Sequence, residues 1–167
     1  DTLALVLAAG RSSRVSPVLN GRSKVLLDIG GMTVLERNLK WLAQNGITSV
    51  WINLHCQPEE IRAVVGDGGQ FGLSVRYNDE PELLGTAGTF RALASQWTGT
   101  VLVLYGDNVS AFDLNRLLER HWSAEGLATI ALFDSKIHAN SGIVGGKVTI
   151  EEERVIAFAE GAATGSG

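Results

Sequence analysis

With a single cysteine, Cys56, the chain cannot form an internal disulfide, and a reducing, cytoplasmic setting is expected. No partner arrangement for a thiol nucleophile accompanies Cys56, which reads as a half-buried packing residue. Long apolar runs are missing too: none reaches the roughly 20 residues of a bilayer-spanning helix, so no membrane partner is expected. The opening Asp1-Thr2-Leu3 leads straight into a strand-like run without a basic segment, so no leader peptide is expected either. Blocks of one charge sign are absent, and the formal net charge of -4 is spread along the chain. A nucleic-acid surface needs a basic patch, so that partner class is excluded, whereas one nucleotide needs only a few local charges. His55, His121 and His138 lack the spacing of metal ligands.

What is present is an ordinary globular composition, 45% apolar and 19% charged, enough for one domain with a core. Residues 3–8 (LALVLA) form a continuous apolar run, as expected of a strand buried on both faces. Residues 33–44 place Val34, Leu35, Leu39 and Leu42 on one helical face, and Asn45-Gly46 supplies the stop. Strands are expected at 49–53, 73–77, 101–105 and 128–133. Pro58 with Glu59 and Glu60 opens a short helix, and residues 86–95 form another. Asp113 caps a helix whose stripe is Leu114, Leu117, Leu118, His121 and Trp122. On that stripe His121 reads as core packing, and the four tryptophans read as core or interface bulk. Residues 142–158 read as short antiparallel strands. The alternation predicts an α/β fold with a mainly parallel sheet, one domain over residues 1–160 and a flexible tail at 161–167.

In such sheets ligands bind beyond the carboxyl ends of the strands, which directs attention to the segment after Leu7. It contains Ala8, Ala9, Gly10, Arg11, Ser12, Ser13 and Arg14, then Pro17 and Lys24. Small residues let backbone N–H groups approach phosphate oxygens, two serines add donors, and Arg14 and Lys24 add fixed positive charge. The loop is not a dinucleotide fingerprint, because Ser12 and Val15 occupy the later glycine positions. Nor is it a Walker A loop, since no Gly-Lys-Ser/Thr follows at the required spacing. On these grounds alone a phosphate cradle and a plain polar connection both remain open.

The pattern Gly10, Ser13, Arg14, Pro17, Lys24 resembles the first loop of the sugar-1-phosphate nucleotidyltransferases. Ser12 stands where that family has its second glycine, and Ser23 where it has a proline. Further similar segments follow in order: Gly30-Gly31, Gly66-Asp67-Gly68, Phe71-Gly72, residues 80–88 (EPELLGTAG) and Tyr105-Gly106-Asp107-Asn108. The resemblance implies a three-layer Rossmann-like fold with a small antiparallel extension near the C-terminus. It also implies a reaction in which an NTP and a sugar 1-phosphate give a nucleotide sugar and pyrophosphate.

Carried onto this chain, the resemblance assigns catalysis to Arg14, Lys24 and Asp107. Arg14 would hold the departing pyrophosphate and Lys24 would sit near the reacting phosphates. Asp107 would ligate Mg²⁺, a hard cation that prefers oxygen. Nucleotide contacts would come from residues 8–14, Lys24, Glu80, Gly85, Thr86 and Gly88. A carboxylate at Glu80 can accept two parallel bonds from guanine, which leans the expectation toward GTP. Sugar contacts would involve Gly142 and Glu160. Phe158-Ala159-Glu160 matches a later family segment, yet Gly161 stands where the family has a sugar-phosphate lysine, and the pattern then stops short. A truncated chain or a degenerate member follows from this, and a non-catalytic nucleotide-sensing domain of the same fold is the competing expectation. Self-association into a homo-oligomer stays open.

Overall fold

The first apolar run becomes the strand on which the sheet is built. The computed structural model describes residues 2–10, 22–124, 126–134 and 146–159. In it β1 (Thr2–Leu7) pairs in parallel with both β2 (Ser49–Leu54) and β4 (Thr100–Tyr105). β3 (Ser74–Asp79) pairs in parallel with β2, giving the order β3-β2-β1-β4. Ala4, Leu5 and Val6 are fully buried, and a strand covered on both faces has no reason to alternate polar with apolar residues.

Helices α1 (Val34–Gln44), α2 (Pro58–Val65) and α3 (Gly85–Ala92) occur between successive strands, as parallel pairing requires. Thr33 and Glu36 form a reciprocal capping box at the start of α1, and Gly46, at φ 81°, follows its end. α4 (Leu114–Ser123) follows β4, and its cap is the expected one: Asp113 Oδ1 accepts from Arg116 N at 3.1 Å. Leu35, Leu39 and Leu42 of α1 pack in one core with Val50, Ile52 and Leu54 of β2, Ile61 of α2 and Leu114 and Leu118 of α4. Burial raises the Tyr77 phenol on β3 above its ordinary range; the nearby Arg62 guanidinium pulls it down and Asp67 pushes it up. No helix among the described residues is long and apolar enough to cross a membrane.

The chain divides into two compact units, residues 1–119 and 120–167. The second contains the antiparallel pair β5 (Lys147–Glu151) and β6 (Arg154–Ala159). Its turn holds Glu152 and Glu153 at φ 46° and 66°, left-handed backbone that the tightest hairpins need and that no Asn or Gly announces here. Two expectations are corrected. Residues 128–133 are not a strand: they join no ladder, and Ile130, Leu132 and Phe133 are exposed. An apolar run becomes a strand only where a neighbour takes its backbone hydrogen bonds, which the run itself does not specify. The stripe of α4 also stops short of its end: Trp122 is 61% exposed, and His121 is half-buried with Nδ1 3.1 Å from Thr129 Oγ1.

Candidate functional site

Sheet order decides where a ligand can enter. The connections from β1 run outward to β2 and β3, and the chain then returns to the other side of β1 as β4. Beyond the carboxyl ends of β1 and β4 the connections diverge, which opens a crevice at that switch point. A cavity of about 340 Å³ lies there. Ala8, Ala9 and Gly10 line it from the end of β1, and Lys24 from the turn Lys24–Leu26. Glu80, Gly85 and Thr86 line it from the connection between β3 and α3, and Asp107 from the end of β4. Residues far apart in sequence are therefore gathered in one place. Gly88 sits inside α3 and is not part of the lining. Arg11, Ser12, Ser13, Arg14, Gly142, Glu160 and the tail at 161–167 lie outside the described residues.

The lining also includes residues to which the sequence assigned no role in the site: Asn53, Leu83, Tyr105 and Ser23. Asn53 is the centre of a buried network. Its Oδ1 accepts from Ala8 N at 2.7 Å, and its Nδ2 donates to Glu80 Oε1 at 3.0 Å. Thr89 Oγ1 donates to the same Glu80 oxygen at 2.5 Å, and Leu84 N donates to Glu80 Oε2 at 3.3 Å. His55 Nδ1 lies 2.8 Å from the Glu80 carbonyl oxygen. The ends of β1, β2 and β3 and helix α3 are thus tied through the Asn53 amide and the Glu80 carboxylate. A polar residue at the end of the apolar strand SVWINL was the available signal for Asn53.

This geometry changes the expectation for Glu80. The side chain lines the cavity but is only 4% exposed, and Oε1 already accepts two hydrogen bonds. An oxygen with two lone pairs has no further capacity, so the two parallel bonds to guanine cannot both form. Oε2, with one long bond, retains room for a single donor. A single acceptor does not separate the ring N–H of guanine from that of uracil or thymine.

Ser23, next to Lys24 in sequence, also lines the cavity, and its Oγ is buried with no hydrogen-bond partner among the described residues. A buried hydroxyl without a partner is costly, and a phosphate oxygen would satisfy it. Asp107 lines the same cavity, and none of the described residues hydrogen-bonds or pairs with its carboxylate. The described residues contain no cluster of three or more metal-ligating side chains. Asp107 therefore fits Mg²⁺ in the manner usual for that ion, one carboxylate with phosphate oxygens and water completing the shell.

Gly106 is required by contact rather than by backbone angle. A Cβ there would lie 2.9 Å from the Leu7 carbonyl oxygen and 3.1 Å from Val6 Cγ1. Gly106 N also donates to that carbonyl at 2.9 Å, so the approach extends the pairing of β1 with β4. Gly106→Ala is expected to destabilise the protein by about 1–3 kcal/mol, the usual cost of overpacking. Denaturant titration checks this; an unshifted midpoint would show that the two strands part freely.

A family model described as nucleotidyl transferase matches residues 3–161. The chain is 33% identical over 158 residues to mannose-1-phosphate guanylyltransferase of Mycobacterium tuberculosis, covering 94% of this chain and 43% of that protein. It is 28% identical over 171 residues to UTP--glucose-1-phosphate uridylyltransferase of Synechocystis sp., covering 94% of this chain and 43% of that protein. The chain thus spans less than half the length of either. The solved structure of HddC from Yersinia pseudotuberculosis complexed with GMP-PN superposes with a TM-score of 0.73 at 19% identity, over 94% of this chain and 68% of that one. At that identity the likeness is one of fold.

Proposed function

The chain belongs to the nucleotidyl transferase family, and from that premise we propose that the full-length protein joins an NTP to a sugar 1-phosphate. The observation that supports this most is the cavity at the switch point, where the end of β1, Lys24 and Asp107 meet. A phosphate oxygen of the sugar attacks the α-phosphorus of the NTP. The bond from that phosphorus to the bridging oxygen breaks, and pyrophosphate leaves with its electron pair. Such a reaction asks the protein mainly to align reactants and offset charge.

Backbone N–H groups of the loop after β1 cradle the phosphates, and Lys24 places a point charge beside them. Arg14 grips the departing pyrophosphate. Bound Mg²⁺, held by Asp107 and the nucleotide, would offset phosphate charge as it develops. Gly142 and Glu160 are proposed as sugar contacts.

GTP is the proposed nucleotide. Support comes from the guanylyltransferase match, which holds 33% identity across 94% of this chain, since the remaining acceptor of Glu80 is not selective. Pyrophosphate release by the full-length protein, with NTPs crossed against sugar 1-phosphates, tests both parts. GTP is expected to react about tenfold faster than UTP or dTTP, a difference of ~1.4 kcal/mol. A preference for dTTP overturns the choice of base. Nucleotide binding without pyrophosphate release from any pair would favour a nucleotide-sensing domain instead.

A further inference from the structure

Asn38 lies on the apolar stripe of α1, four residues after Val34 and four before Leu42, and is fully buried. A buried amide at a core position is costly unless its hydrogen-bonding groups are used. All of them are used here, and on one short segment. Nδ2 donates to the Gly106 carbonyl at 3.2 Å and to the Asn108 carbonyl at 2.7 Å. Oδ1 accepts from Ser110 N at 3.4 Å. Only this orientation of the amide satisfies two carbonyls and one N–H together.

The two carbonyls flank Asp107, which lines the cavity. On the same helix, Trp41 packs edge-to-face on Phe112 at 5.0 Å, so α1 anchors the connection after β4 at two points. The segment has few bonds of its own: Gly106 N to Leu7 O, and Asn108 N to Tyr105 O at 3.2 Å. Without Asn38 the carbonyls on either side of Asp107 would have to turn elsewhere, and the carboxylate would turn with them.

We propose that Asn38 is a positioning residue for metal binding, holding the Asp107 carboxylate at the angle from which it grips nucleotide-bound Mg²⁺. This rests on the reading of Asp107 as the magnesium ligand. A side chain that acts through a metal ligand changes metal affinity by about 10–100-fold when lost. A side chain that only stabilises the fold lowers the melting temperature and leaves the metal response alone.

The test is calorimetric GTP binding to the full-length protein, once with Mg²⁺ and once with chelator. The ratio of the two affinities is the magnesium gain. Asn38→Leu, which keeps the branching of asparagine but has no hydrogen-bonding group, is expected to cut that gain about tenfold, with affinity in chelator unchanged. Asn38→Ser keeps one donor and is expected to give an intermediate gain; it carries the test if the leucine variant does not fold. In an Asp107→Asn background, Asn38→Leu should change the gain no further. A wild-type gain in Asn38→Leu or Asn38→Ser overturns the proposal and leaves Asp107 in place. A wild-type gain in Asp107→Asn alone overturns the metal reading itself, and the role of Asn38 with it.

Discussion

Arg14→Ala in the full-length protein is expected to lower turnover by about two orders of magnitude or more, the usual effect of removing one charge contact that tightens as phosphoryl transfer proceeds. Thermal stability is expected to stay unchanged. Arg14 lies outside the described residues, but Gly10 on one side and Ser23 on the other both line the cavity. These described neighbours in sequence thus reach the place where phosphates are proposed to sit. Arginine offers a planar fork of donors that matches pyrophosphate, which lysine cannot copy, so Arg14→Lys should recover only part of the rate. Steady-state pyrophosphate release measures both variants. Wild-type turnover in Arg14→Ala would remove it from the catalytic set.

The second large effect is expected at Glu80, on stability as much as on binding. Glu80→Ala leaves Asn53 Nδ2 and Leu84 N without their carboxylate partner in a buried site. Hydrogen bonds to a charged group contribute about 1.5–3 kcal/mol each, so a loss of about 3–4 kcal/mol is expected on denaturant titration. Thr89 Oγ1 loses less, because the Gly85 carbonyl lies 3.0 Å away as a second acceptor. Glu80→Gln keeps one acceptor for Asn53 and Thr89 but turns an NH₂ toward Leu84 N, donor against donor. It should cost about 1–2 kcal/mol and weaken all NTPs alike. A stable Glu80→Gln protein with its preference moved toward pyrimidine nucleotides would restore Glu80 as a direct reader of the base.

The sequence by itself determined most of the elements and several helix ends. Continuous apolar runs at β1 and β4 predicted strands, although β4 is only half-buried with Leu104 alone buried, and Pro58, Asp113 and Asn45-Gly46 marked helix ends, because period and capping are local properties. The ordered resemblance from Gly10 to Asp107 pointed to the family. Asn38 and Asn53 were legible only as anomalies, polar residues at apolar positions, since nothing local says what a buried amide bonds to. Tertiary structure decided three things: that residues 128–133 join no strand among the described residues, that Glu80 serves a buried network, and that α1 reaches across to hold the Asp107 segment. Each depends on a hydrogen-bond partner distant in sequence, and local sequence carries no record of which group will arrive there.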